Sequence, residues 1–234
     1  VEEFICERRS TVSYRDGDIF RKYYKYAGES EIVLEEKFSN EALNNGINCP
    51  QFLGWGYSET KKMFFSEFEF IEIKTISKYL VDKSILKIAL EQLTMMPTYT
   101  QGNDFRNELL EKELYSIIDY LPSDIQSEYV YLVKELFLKK NDVLIHGDYS
   151  FENIGWDDKK NTLIIFDFQN SGYGVRDWDR SYLLASIPNT YLVSTISDIN
   201  IDLMKIITAL KYGRGIRKKF ELEERKRLYE YWWK

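Results

Sequence analysis

The hydrophobic period of this chain changes near residue 75, and that change narrows the architectures open to it. Up to that point, aromatic and β-branched residues come in short alternating runs, as in half-buried strands. From about 76 to 140, apolar residues recur every three to four positions, as on amphipathic helices. Strand-like runs return at Val143-Leu144-Ile145 and Thr162-Leu163-Ile164-Ile165-Phe166, and the end is helical again. Such an order is α+β: a small antiparallel β-lobe with one helix over residues 1–75, then a larger helical lobe over 76–234 that carries a short strand pair.

Within the first lobe, Thr11–Arg15 and Ile19–Tyr24 flank Asp16-Gly17-Asp18, which predicts a hairpin because Asp-Gly suits a tight primed turn. A helix is expected over Ser30–Asn45, with Ser30 as cap, Ile32, Leu34, Phe38, Ala42 and Leu43 apolar, and Gly46 as its stop. Two strands, Gln51–Tyr57 and Met63–Ile73, enclose the polar turn Ser58–Lys62. Later helices are expected over 84–96, 104–121, 123–139, Ile199–Leu210 and Glu221–Trp233. Gly28, Gly54, Gly56, Gly213 and Gly215 read as turn glycines, and the basic run Lys211–Lys219 as a solvated helix end. Tyr229, Tyr231, Trp232 and Trp233 are expected to pack on the helical lobe.

Composition removes several function classes. Two cysteines, Cys6 and Cys49, make neither a disulfide framework nor a usual zinc site. A single histidine, His146, argues against His-rich metal sites and against Ser/Cys–His nucleophilic catalysis. With 32 Lys+Arg against 38 Asp+Glu, the net charge of -6 is the wrong sign for a protein that mainly grips nucleic acid. No stretch reaches the roughly 18 apolar residues of a membrane span, and the N-terminal VEEFICERRS has no signal-peptide core. The chain reads as soluble and cytoplasmic, with no nucleic-acid or membrane partner.

The chemistry concentrates in His146-Gly147-Asp148-Tyr149-Ser150-Phe151-Glu152-Asn153 and Phe166-Asp167-Phe168. Each polar group closely follows an apolar strand, which puts it on a strand-end loop in a cleft. Phosphoryl transfer uses such a set: a carboxylate to orient and deprotonate a hydroxyl, with an amide and a second carboxylate to hold Mg²⁺ against the phosphates.

These residues closely resemble the catalytic and metal loops of the aminoglycoside phosphotransferase and choline kinase family, which has a protein-kinase-like two-lobed fold. The resemblance implies Asp148 as catalytic base and Asn153 and Asp167 as Mg²⁺ ligands, with His146 supporting the loop by hydrogen bonding. In Gly172–Asp179, Asp179 matches the structural Asp at the start of the helix after the metal loop. The fold also implies a third-strand lysine on the nucleotide phosphates, held by a helix glutamate. Lys22 shares a strand face with Phe20 and Tyr24 and is preferred to Lys25. Glu36, fourteen residues before Pro50 as in relatives, is preferred to Glu35, which shares a helix face with Phe38 and Ala42. The phosphate-covering turn, near Arg8-Arg9-Ser10-Thr11, lacks a G-x-G-x-x-G, leaving Ser10 and Thr11 to supply hydroxyl and backbone donors. Adenine is expected on the backbone of Glu67–Ile71.

The resemblance therefore implies a Mg²⁺-dependent kinase moving the γ-phosphoryl of ATP or GTP to a hydroxyl of a small-molecule acceptor. Two readings stand beside it: a catalytically silent nucleotide-binding module of pseudokinase type, and a kinase for a peptide or protein hydroxyl. Transfer of AMP on the same fold is a further alternative. In the family, acidic residues take cationic amino-sugars and aromatic residues cage quaternary amines. Glu152, Tyr173, Asp177 and Trp178 are the candidates for that here, and the net charge mildly favours a cationic acceptor. At 234 residues the chain is shorter than many relatives, which counts against an antibiotic-resistance role.

Overall fold

A computed structural model of the chain describes residues 2–8, 10–98, 105–139, 143–219 and 222–233. Along the chain these form β1 (Glu3–Glu7), β2 (Thr11–Asp16), β3 (Ile19–Tyr24), α1 (Glu29–Asn44), β4 (Phe52–Ser58), β5 (Met63–Glu69) and β6 (Lys74–Thr75). There follow α2 (Lys83–Leu93), α3 (Phe105–Tyr115), α4 (Ser123–Leu138), β7 (Val143–Ile145), β8 (Ile154–Asp157), β9 (Thr162–Ile165) and β10 (Gly172–Gly174). The chain closes with α5 (Trp178–Leu184), α6 (Thr190–Ser194), α7 (Ile201–Lys218) and α8 (Leu222–Trp233). Two compact units result, Val1–Thr75 with Asn153–Ser171, and Ile76–Glu152 with Gly172–Lys234.

The first unit is built on an antiparallel sheet of order β1-β2-β3-β5-β4. Asp16 pairs with Ile19, so the turn between β2 and β3 has Gly17 and Asp18 at its centre. Gly17 sits at φ +62, which only glycine adopts freely. β1 carries no alternating apolar pattern, because most of its side chains are exposed, and the sequence gives no sign of it. α1 begins one residue before the expected start. Its cap is Gly28 rather than Ser30, and the Glu31 carboxylate accepts the Gly28 N–H at 3.0 Å. The buried side of α1 and the sheet share a core of Tyr24, Ile32, Phe52 and Phe68, closed by Phe20, Trp55 and Phe64.

Periodicity assigns 153–171 to the second lobe, but the structure packs it with the first unit. β8 pairs with both β6 and β9, and the Ile165 N–H donates to Asn48 O at 2.8 Å. The strand expected over Met63–Ile73 accordingly ends at Glu69, and the chain re-enters a different sheet at Lys74.

The second unit is helical apart from the short β7–β10 pair. The helix expected over 104–121 stops at Tyr115; Asp104 lies outside the described residues. It is followed by a 3-10 turn at Ile118–Tyr120, since Pro122 forces Leu121 into an extended conformation at ψ 151. α7 is the buried axis of the unit, with Leu203, Met204, Ile206, Ile207 and Leu210 almost fully enclosed between α4, α5 and α8. On α8, Tyr229 stacks on Tyr212 and the Trp233 Nε1–H donates to Lys205 O at 2.9 Å, while Tyr231 is exposed. Among the described residues, no helix is long and apolar enough to cross a membrane.

α7 runs eight residues past its expected end at Leu210, so Gly213 and Gly215 are helical rather than in a turn, just as Gly54 and Gly56 lie within β4. The reason for Gly213 is close approach: a Cβ there would stand 2.8 Å from Ile117 Cβ. Gly213→Ala should therefore destabilise the protein by about 1–3 kcal/mol, against the usual helix-propensity gain. A melting temperature equal to or above the wild type would contradict this packing.

Candidate active site

In the first unit, a cavity of about 400 Å³ is walled mainly by apolar side chains, among them Phe20, Phe68, Ile73, Ile164 and Phe168. Lys22, Glu35 and Asp167 supply its charged wall. On the sheet, Lys22 pairs with Ser13 on one side and Ser66 on the other, small neighbours that leave room for the ammonium. Its Nζ donates to Glu35 Oε1 at 2.8 Å and to Asp167 Oδ1 at 2.6 Å. The Tyr24 hydroxyl bonds both Glu35 Oε2 and Ser66 Oγ, which fixes the carboxylate from behind. Lys25, on the other strand face, is instead bound to Glu7 and to Arg8 O.

The structure corrects the choice of glutamate. Glu35, not Glu36, meets Lys22, because Glu35 lies on the α1 face that buries Ile32, Phe38, Ser39 and Ala42. The fourteen-residue spacing to Pro50 chose the adjacent position, whereas the helical face identifies the buried one. Glu36 remains half-buried beside that face.

Burial alone would push the Lys22 ammonium down, but Asp167 and Glu35 outweigh it and hold it well above the usual lysine value. Burial raises the Glu35 carboxyl against the pull of Lys22, and the neighbouring Asp167 charge adds to the rise. The site thus keeps a charged lysine in a nearly dry setting.

Asp167 stands in the left-handed region at φ 70, uncommon for a residue with a Cβ. It precedes the 3-10 turn Phe168–Asn170 without capping it, so its carboxylate meets Lys22 and, at 3.9 Å, Arg8. Asn153 is buried and lies at the same end of the β8–β9 hairpin: Ile154 pairs with Ile165, and the Phe166 N–H donates to Asn153 O at 3.1 Å. One carboxylate and one amide oxygen suit Mg²⁺, which keeps several waters and takes substrate phosphates as further ligands.

Thr11 is buried on the cavity wall together with Ser13, which sequence reasoning did not single out, and the exposed Arg8 of the expected turn lines the same cavity. Ser10 is exposed and does not line the cavity; its carbonyl accepts the Lys25 N–H. Arg9 lies outside the described residues. In the expected base-binding segment, Phe68 to Ile71 line the cavity. The N–H groups of Glu69 and Phe70 are spent on Gln51 O and Asp18 O.

In the second unit, the loop after β7 is held by Asp179 in the first turn of α5. Its buried carboxylate accepts the N–H of His146 at 2.5 Å and of Gly147 at 2.9 Å. Burial pushes that carboxyl up to about 6, against the neighbouring His146 and the two N–H donors. His146 Nδ1 accepts the Asp148 N–H at 3.3 Å, so the histidine shapes the loop through hydrogen bonds. Asp148 opens onto a cavity of about 470 Å³, with Tyr182 also on its wall.

Of the four acceptor candidates, Glu152 lines that cavity, whereas Tyr173, Asp177 and Trp178 do not, and Trp178 is buried in the unit's core. The basic run of α7 is a second correction. Lys211, Arg214 and Lys218 line the cavity, because α7 continues as a helix and carries them onto one face. Sequence reasoning missed Tyr182, and the helical spacing of Lys211, Arg214 and Lys218 was the signal that could have placed the cations together.

The sequence profile of the phosphotransferase enzyme family matches residues 44–202, more than half of the chain. No curated protein matches the sequence significantly. Among solved structures, the chain is similar to amicoumacin kinase hAmiN in complex with AMP-PNP, Ca²⁺ and Ami, with a TM-score of 0.68 at 14% identity over 99% of this chain and 86% of that one. It is similar to wild-type aminoglycoside 2'-phosphotransferase-IIIa in its GDP complex, with a TM-score of 0.61 at 16% identity over 99% and 92%. It is also similar to a choline/ethanolamine kinase family protein from Mesorhizobium loti, with a TM-score of 0.60 at 14% identity over 99% and 85%. At such identities the likeness speaks for the fold: an antiparallel sheet with one helix, and a helical unit, in the protein-kinase-like manner. On the profile match and this fold together, the chain belongs to the phosphotransferase enzyme family.

Proposed function

We propose that this protein is a Mg²⁺-dependent kinase that moves the γ-phosphoryl group of ATP or GTP to a hydroxyl of a small molecule. The observation that carries the reading is the buried Lys22–Glu35 pair, joined by the partly exposed Asp167, on the wall of an apolar cavity. A charged lysine kept in a dry site at two carboxylates is costly to fold around unless a polyanion uses it. Two of the similar structures hold AMP-PNP or GDP, which supports nucleotide use.

In the proposed reaction, Lys22 binds nucleotide phosphate while Glu35 orients its ammonium. Asn153 and Asp167 would hold Mg²⁺, which neutralises charge on the phosphates when bound. Asp148 accepts a hydrogen bond from the acceptor hydroxyl and aims its oxygen at phosphorus. The bond from the γ-phosphorus to the bridging oxygen breaks, a bond to the acceptor oxygen forms, and the hydroxyl proton passes to Asp148 and then to water. Positioning and charge neutralisation do most of the work in such a step.

The test is nucleotide turnover with a mixed panel of hydroxyl compounds, with and without Mg²⁺. We expect acceptor-stimulated ADP release that needs Mg²⁺ and falls at least about 10²-fold in Asp167→Ala. Nucleotide binding without ADP under every acceptor pool would favour a silent binding module, and AMP release would favour nucleotidyl transfer.

A further inference from the structure

The cavity at Asp148 is lined by five cationic side chains, Lys78, Lys211, Arg214, Lys218 and Arg225, against three carboxylates, Asp148, Glu152 and Glu224. Glu224 is already engaged by Lys78 at 2.6 Å. Two of the cations, Lys211 and Arg214, stand three positions apart on α7 and face the cavity beside Tyr182. The Arg214 Nη1 lies 3.5 Å from the Tyr182 hydroxyl, on the cavity that Asp148 also lines. The guanidinium is kept in place from outside the cavity lining by Glu113, whose Oε1 accepts the Nε–H at 2.7 Å.

The Lys211 Nζ donates to Ser186 Oγ and lies 3.4 Å from Tyr182 O, both neutral acceptors, over the face of the Tyr182 ring. Among the described residues, no carboxylate stands within ion-pair distance of it. Burial pushes this ammonium down to about 7; Asp148 opposes the shift, and Arg225 and Arg214 add to it. An ammonium so placed is a donor without an anion.

We propose, on the kinase reading above, that the acceptor is an alcohol bearing an anionic group, a phosphate monoester or a carboxylate, held by Lys211 and Arg214 while its hydroxyl lies at Asp148. A cation in this cavity would face five like charges against three carboxylates, one of which Lys78 already engages. An anion would complete the third donor of Lys211 and bring the ammonium back to full charge. A volume of about 470 Å³ accommodates a compound of sugar-phosphate size. The transfer then adds one phosphoryl group to the acceptor's free hydroxyl and leaves its anion unchanged, with ADP and a proton as the other products.

The experiment pairs each anionic compound with its neutral parent: sugar phosphates with sugars, and hydroxy acids with their amides. Aminoglycosides and choline serve as the cationic arm. ADP release gives kcat and KM, and calorimetry gives binding without turnover. We expect kcat/KM at least about 10²-fold higher for an anionic compound than for its parent. Lys211→Met should raise the KM for that compound at least about tenfold and Lys211→Arg should recover most of the loss, with the KM for ATP unchanged in both. The relative standing of phosphates and carboxylates identifies the source of the anion.

A preference for neutral or cationic acceptors would overturn the proposal and leave the kinase reading intact. So would a parallel rise in the KM for ATP in Lys211→Met, which would assign the cations to the donor phosphates. Anion binding in calorimetry that Lys211→Met removes, with no ADP release from any compound, would defeat the kinase reading and leave the anion site standing.

Discussion

Asp148→Asn should remove phosphoryl transfer and leave nucleotide affinity unchanged. The substitution keeps the shape of the side chain but removes the carboxylate proposed to take the acceptor's proton. The loop does not depend on that carboxylate, because Asp179 holds the N–H groups of His146 and Gly147, and the Asp148 N–H reaches His146 Nδ1. The cavity at Lys22, proposed for the nucleotide, is likewise lined entirely by residues of the first unit. The loss should be that of a general base, about 10²–10⁴-fold in kcat. Single-turnover kinetics at saturating nucleotide and acceptor, with nucleotide titration by calorimetry, measure the two quantities separately. Turnover within tenfold of the wild type would remove Asp148 from the base role, and a large loss of nucleotide affinity would mean that the loop also serves the donor.

The parts of this site that were legible in the sequence are those written in consecutive residues. His146 to Asn153 and Phe166 to Phe168 are short strings whose residue types name a chemistry, and the structure puts each at the end of a short strand. Lys22 was legible from strand alternation, because Phe20 and Tyr24 mark the inward face. The lobe order and most helices followed from the period alone.

What escaped needed geometry that a linear string does not carry. Choosing between Glu35 and Glu36 needs the rotation of α1 to within one residue, or 100° of helix, which sequence spacing to Pro50 does not fix. β1 is an exposed edge strand, so no burial pattern marks it. Glycines at 213 and 215 resemble a turn in sequence, and only the close approach of Ile117 to Gly213 explains a glycine inside a buried helix. Once α7 is continuous, the basic run becomes a cavity wall rather than a solvated end. The overall charge of -6 pointed weakly to a cationic acceptor, whereas the local arrangement of Lys211 and Arg214 points the other way. Local charge decides because burial strengthens interactions that bulk water and salt screen at the surface.

Lys22→Met should unfold the protein more readily and, separately, cost it nucleotide binding. Lys22 is the cation for a Glu35 side chain with no solvent exposure, while Asp167 retains 26%. Removing the lysine leaves Glu35 buried beside Tyr24 without a counter-charge, a change that typically costs about 3–5 kcal/mol. For a chain of this length that is roughly a 10 °C fall in melting temperature. The pH dependence has a definite sign. Burial already raises the Glu35 carboxyl above its unfolded value, and losing Lys22 raises it further. A group whose folded value is raised stabilises the fold below its unfolded value, and that contribution is lost as pH rises through the folded one. The deficit of Lys22→Met should therefore be smaller near pH 5 than near pH 8. Adding Glu35→Leu to Lys22→Met removes the stranded charge and should recover most of the stability, because an apolar replacement of a buried pair is often neutral or better. Nucleotide affinity should stay low in the double variant, since nothing then meets the phosphates. Glu36→Gln should shift neither quantity, with stability within about 0.5 kcal/mol of the wild type. Recovered stability together with recovered affinity would show that Lys22 serves the fold alone, and the phosphate-binding cation would then have to be sought at Arg8 on the same cavity wall.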